Sequence, residues 1–148
     1  MKVRDVMNQS PPSITEGATM AEAAELLGRT HANDLAVLDH AGNFVGILAE
    51  GDLLRHALPK FEHVVATAGS VAEAFEMFLA SGRDLAGQPV DRAVIRTPIL
   101  LRPDDELLQA AAVMISKQIR TLVVVEDGRL MGTVSRADVA LGVFGRST

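Results

Sequence analysis

The chain has 148 residues, 48% hydrophobic and 22% charged, which is enough apolar material for a packed core and too much for a disordered segment. It contains no Cys, which excludes disulfides and thiolate metal sites, and its net charge of −5 argues against a general nucleic-acid binder. The charge is uneven: residues 1–89 hold 6 Lys+Arg against 12 Asp+Glu, while residues 90–148 hold 8 against 7, so a small anion is expected in the second half.

Residues 1–10, "MKVRDVMNQS", lack the apolar stretch of a secretory signal, and no apolar run approaches the roughly 18 residues of a membrane span. A soluble, cytoplasmic protein without a membrane partner is expected. In chain order, a short strand is predicted around Ile14 and a helix over "MAEAAELL". A strand "LAVLD", a turn at Gly42 and a strand "FVGIL" follow, and a closing helix starts near Asp52. The next segment, "SVAEAFEMFLAS", has apolar residues at Val71, Phe75, Phe78 and Leu79, a helical spacing. Ser70 is expected to cap that helix and Gly82 to end it, with Phe75 and Phe78 packed in the core.

The first series then recurs. A strand is predicted around Leu101, a helix over "LLQAAAVM", strands "LVVVE" and "LMGTV" about a turn at Gly128, and a helix near Asp138. Identities support an internal duplication. Val3 and Val90, Pro11 and Pro98, and Ala23-Ala24 and Ala110-Ala111 lie 87 apart. Val37 and Val123, Gly42 and Gly128, Gly46 and Gly132, and Asp52 and Asp138 lie 86 apart, which predicts one residue lost ahead of the "LVVVE" strand. The alternation implies an α/β fold: two β-α-β-β-α repeats packed as an intramolecular pair with a helical linker. The expected divisions are repeat 1 over 1–55, a helical linker over 56–89 and repeat 2 over 90–148.

The phrase "GILAEGD" (46–52) recurs as "GTVSRAD" (132–138), and only the second copy keeps a hydroxyl before the helix. Ser135 can serve as N-cap with Asp138 as the acidic residue of a capping box. The same free N–H groups suit an anion, so cap and ligand contact are compatible readings. Asp104-Asp105-Glu106 reads as an acidic helix start, favoured by the dipole.

These motifs resemble a tandem pair of CBS domains, the family named for cystathionine β-synthase. The resemblance rests on Asp5-Val6-Met7, Pro11-Pro12, Ala36-Val37-Leu38-Asp39 and 46–52 in the first copy, and on Ala93-Val94, Pro98, Leu122-Val123-Val124 and 132–138 in the second. It implies a regulatory module binding an adenine nucleotide (AMP, ADP or ATP) in the cleft between the repeats, as a regulatory ligand and not an obligatory cofactor. Alternatives are an S-adenosylmethionine-binding module and a ligand-free self-association or interaction scaffold. By the resemblance, Asp138 and Asp52 would meet ribose, Ser135 ribose or phosphate, Arg120, Thr121 and Arg136 phosphate, and the Thr97-Pro98-Ile99 backbone the adenine. In the first copy Asn33 and Asp34 stand where the second has Arg120 and Thr121, and a carboxylate there would repel phosphate. Val123 and Val134 read as core. A homodimer built on the Ala-rich helices and an unidentified client protein are further expectations.

No enzymatic constellation accompanies this pattern. His31, His40, His56 and His63 form no metal motif, and the sequence contains neither a P-loop nor a G-x-S-x-G elbow. The expectation is a non-catalytic protein with no metal site and no nucleic-acid partner.

Overall fold

A computed structural model of the chain describes residues 1–58 and 61–145. Residues 59 and 60 of the expected linker and 146–148 of the expected second repeat lie outside the described residues. The first repeat contains β1 (Ser13–Thr15), α1 (Met20–Thr30), β2 (Asp34–Leu38), β3 (Phe44–Ala49) and α2 (Glu50–Ala57). Helices α3 (Phe61–Thr67) and α4 (Val71–Leu85) follow. The second repeat contains β4 (Leu100–Leu101), α5 (Leu107–Lys117), β5 (Thr121–Glu126), β6 (Arg129–Ser135) and α6 (Arg136–Phe144). The α/β series predicted from the repeated pattern is therefore present twice.

Each repeat forms its own three-stranded sheet. β1 runs parallel to β2, which pairs antiparallel with β3; β4, β5 and β6 repeat this order. Both hairpins carry a bulge at the same place, skipping Val45 in one and Met131 in the other. The register corrects the position of the lost residue. Val37 faces Gly46, and Val124, not Val123, faces Gly132. The strands β2 and β5 thus keep the 87 spacing, and the missing residue falls in the hairpin turn. A one-residue slip inside a strand would turn its buried face outward, whereas a turn absorbs the change. The second turn is the short Asp127-Gly128 pair, both at positive φ as a tight hairpin requires. The first is longer and is organised by the Asp39 carboxylate, which accepts from the backbone of Ala41 and Asn43.

Two cores result, and each is completed by residues from outside its own repeat. One contains Leu101, Leu107, Ala110, Met114, Leu122, Val124 and Val134 together with Val3. The other contains Met20, Ala23, Leu27, Leu35, Val37 and Leu48 together with Val90 and Ala93. The chain's first residues therefore pack on the second sheet, and residues 90–95 pack on the first. Asn8 bridges to Thr133, and Ile95 exchanges two backbone hydrogen bonds of 2.8 and 2.9 Å with Ile47. Ion pairs of Lys2 with Glu106 and Arg4 with Asp104 hold the leading segment on the start of α5. Glu106 is held below the usual carboxylate range, mainly by its hydrogen bond from Lys2.

This crossing explains the repeated glycines. A Cβ on Gly46 would lie 2.5 Å from the Ile95 carbonyl oxygen, and one on Gly132 2.5 Å from that of Asn8. The crossing backbone needs hydrogen at both positions.

The linker helix differs from its expectation in two respects. Ser70 caps α4 through the Glu73 N–H at 3.2 Å, as predicted, but the helix runs past Gly82 to Leu85. Its C-terminal end docks, with the Ala21 N–H donating to the Ala86 carbonyl. Phe75 and Phe78 are not core: Phe75 is 56% exposed and Phe78 half-buried, and their ring centroids lie 6.5 Å apart. Helical periodicity signals an apolar stripe, but only neighbouring elements decide whether it is covered.

Candidate functional site

The two repeats meet at the starts of their central strands. Helix α1 ends with His31, and α5 with Gln118, in the left-handed conformation, and each chain then turns directly into its strand. The helix after each hairpin is tied to that same corner. The Glu50 N–H donates to the Asn33 carbonyl at 3.0 Å, and the Arg136 N–H to the Arg120 carbonyl at 3.1 Å. Strand start and helix start are thus fixed to each other in both repeats before any side chain is considered.

Between the two corners lies a cavity of about 590 Å³. The first repeat supplies Asn33 and Asp34 from the start of β2, and Ala49, Glu50, Gly51, Leu54 and Arg55 from the β3–α2 junction. The second supplies Pro98 and Ile99 ahead of β4, and Gln118, Ile119, Arg120 and Thr121 at the start of β5. Ile47 and Ile95, from the crossing ladder, add apolar wall.

The charges of this cavity are arranged as pairs. Arg120 Nη1 lies 3.7 Å from Glu50 Oε1 across the repeat boundary. Arg55 pairs with Asp52, whose other oxygen, Oδ2, is buried without a hydrogen-bond partner. Asp34 is pushed up to about 6, first by burial and then by the charges of Glu50 and Asp52, with Arg120 opposing. Carboxylates therefore outnumber free cations around the start of α2.

The expected site residues divide. Pro98, Ile99, Arg120 and Thr121 line the cavity as a group. Thr97 is exposed beside them and does not line it. Ser135 and Asp138 do not join them: the Asp138 N–H donates to Ser135 Oγ at 3.1 Å and the Ser135 N–H to Asp138 Oδ2 at 2.8 Å, closing the capping box. Asp138 also lines a separate hollow of about 430 Å³ with Met1, Asp5 and Val6. Arg136 is exposed, and its Nε donates to the Ile119 carbonyl at 3.1 Å. The expected grouping of Arg120 with the start of α6 is therefore corrected. Arg120 gives that helix only its carbonyl, while its guanidinium reaches the opposite charge of Glu50 in the other repeat. Val123 and Val134 are buried, as expected of core residues.

Glu50 and Arg55 were missed because each copy was read as its own site. In the structure the second repeat's strand start, at Arg120, lies against the first repeat's helix start, at Glu50. Among the described residues no cluster of three or more potential metal ligands occurs, and no helix is long and apolar enough to cross a membrane.

The chain is similar over 93% of its length, at 30% identity, to the uncharacterized protein MJ1404 of Methanocaldococcus jannaschii, and spans 31% of that protein. It matches a homoserine O-acetyltransferase of Methanohalophilus mahii at 28% identity, covering all of this chain and 25% of the enzyme. Among solved structures, CBSX2 in complex with AMP superposes with a TM-score of 0.73 at 22% identity, covering 96% of this chain and 95% of that one. The CBS domain pair of MJ0100, in complex with 5′-methylthioadenosine and S-adenosyl-L-methionine, gives 0.69 at 20% identity, with 99% and 98% covered. At these identities the likeness is one of fold. The family model for the CBS domain matches residues 3–59 and 90–144, and the chain accordingly belongs to the CBS domain family, as a tandem pair of such domains.

Proposed function

We propose that this chain is a regulatory, non-catalytic module that senses an adenosyl ligand in the cavity between its repeats. The cavity carries this reading. Its volume falls within the roughly 300–1,000 Å³ of small-molecule sites, and it combines apolar walls with a few convergent polar groups. Ile47, Ile95 and Ile99 offer surface for a flat base, and Asn33, Thr121 and the carboxylates offer partners for hydroxyls. The AMP held by CBSX2 and the methylthioadenosine and S-adenosylmethionine held by the MJ0100 pair support an adenosyl group as the shared ligand element. The division into two repeats and a linker belongs to the same reading, with each repeat contributing one wall and the first continuing past 55 to the end of α2 at Ala57.

The test uses a spectroscopic property of the chain. It has no Trp and no Tyr, so a 260 nm band in purified protein reports a carried-over base. Protein stripped of such material should show a higher thermal midpoint with AMP or 5′-methylthioadenosine, because a ligand of the folded state stabilises it by mass action. An unchanged midpoint with both at millimolar concentration sinks the proposal.

A second reading, self-association, is favoured by one observation. Leu108 and Ile115 of α5 are 81% and 79% exposed, and Leu141 and Phe144 of α6 are also exposed. A homodimer on these helices would cover them through a two-fold interface. Light scattering should then give about twice the 15.7 kDa of one chain, and Ala112→Glu should shift that mass downward. A mass of one chain at micromolar concentration removes the dimer.

A further inference from the structure

We infer that Glu50 and Asp34 set the ligand specificity of the cavity, excluding phosphate and favouring an adenosyl compound whose 5′ substituent is uncharged or cationic. This rests on the adenosyl reading above and narrows it.

An incoming phosphate needs an unpaired cation or a free helix start. Among the described residues the cavity supplies neither. The Arg120 guanidinium lies 3.7 Å from the Glu50 carboxylate, and that of Arg55 pairs with Asp52, so each cation already has a carboxylate beside it. The start of α2 is occupied by its own acids: Glu50 and Asp52 stand in its first turn, and Ala49 gives no side-chain cap. Negative side chains at a helix N-terminus use the dipole's positive potential themselves and leave a phosphate facing like charge. A dianion would have to separate Arg120 from Glu50 and would then lie against both Glu50 and Asp34.

The equivalent corner of the second repeat shows that the fold does not impose this. Arg136 stands there in place of Glu50, Thr121 in place of Asp34 and Ser135 in place of Ala49. The acids are a property of one corner. Among the described residues, the charges acting on Asp34 are Glu50 and Asp52 on α2, which raise its proton affinity, and Arg120 just ahead of β5, which lowers it. Arg55, the remaining cation lining the cavity, is neutralised by Asp52. A neutral thioether or a cationic group near this corner meets no repulsion, and a cation gains attraction.

Calorimetric titrations with two probes test the assignment. AMP and 5′-methylthioadenosine share adenine and ribose and differ in charge at the 5′ position. Wild-type protein should bind 5′-methylthioadenosine about tenfold or more tightly than AMP near pH 7.5, a ratio in keeping with one like charge in a half-exposed site. Glu50→Arg should strengthen AMP binding by about tenfold and change that of 5′-methylthioadenosine by less than about threefold, because only AMP carries the charge being sensed. Glu50→Gln and Asp34→Asn should move the ratio the same way by smaller factors, and they serve if the arginine variant folds poorly. Preference of the wild type for AMP, or an AMP/methylthioadenosine ratio unmoved in all three variants, overturns the inference and leaves the adenosyl site standing. Binding of neither probe by any of the four proteins overturns the adenosyl reading and the inference together.

Discussion

The starts of α2 and α6 occupy the same place in their repeats and are held by different means. α6 begins with a complete capping box, Ser135 and Asp138 satisfying each other's backbone groups, and its first residue is Arg136. α2 begins at Ala49 with no side-chain cap, and its first turn carries Glu50 and Asp52. What the two starts share is backbone: a bond from the first helical N–H to the strand start, and a glycine four residues before the helix against a crossing segment. Duplication has kept what the fold's geometry demands twice and has let the side chains at the corners diverge. The corners can diverge because they face a cavity or solvent, where packing constrains a side chain least.

The shared element is the hardest to alter. Gly46→Ala and Gly132→Ala should each destabilise by about 3 kcal/mol, the upper end of the cost of forcing an extra methyl group into a packed site. Urea unfolding should show two similar losses. A loss confined to one glycine would show that the crossings are not equivalent.

Next come the crossing segments. Val3→Ala should cost about 1.5–3 kcal/mol, the transfer energy of two buried methyl groups plus the cavity they leave. Hydrogen exchange should then loosen the amides of Leu122–Val124 in the second sheet before those of Leu35–Val37 in the first. The reverse order would break the assignment of Val3 to the second core.

The caps should respond less and in opposite directions. Ser135→Ala removes a cap and should lower stability by about 0.5–2 kcal/mol, while Ala49→Ser builds one facing Asp52 and should raise it by a smaller amount. Thermal midpoints read both. A loss on Ala49→Ser would mean that the α2 start is shaped by something other than helix capping.

The smallest effect is expected at Asp34 and depends on pH. Its folded proton affinity is raised from 3.8 to about 6, so between these values the folded state binds more protons than the unfolded. Stability contributed by this group therefore falls as pH rises from about 4 to about 6 and stays low above. Solvent screening of a partly exposed group limits the effect to roughly 1 kcal/mol, below the full value of the shift. Asp34→Asn should be more stable than wild type at pH 7.5 and lose that advantage near pH 4. Equal differences at the two pH values would show that Asp34 carries no such penalty.

Much of this molecule was legible in its residues. Alternating and helical periods located the strands and the α1 and α5 helices of the two repeats, because burial of one face imposes those periods locally. The capping box was legible in "SRAD" because it spans only four residues. The site was half legible. Pro98, Ile99, Arg120 and Thr121 were identified and do share the cavity, but Glu50 and Arg55 belong to a segment far away in the chain. The Phe75 and Phe78 stripe has the period of a covered helix, yet Phe75 is 56% exposed.

The sequence alone determined the duplication, the order of elements, the recurrence of glycine at 46 and 132, and the hydroxyl and acid that start α6. Each of these depends on contacts within a few residues or on a pattern repeated along the chain. Only the tertiary structure decided that Val3 completes the second core and Val90 the first, that the missing residue falls in a turn, and that Arg120 meets Glu50 instead of the helix beside it. Those outcomes depend on which surfaces the two repeats bury against each other. Such pairing is a global minimum over packing and charge, and no local period or spacing encodes it.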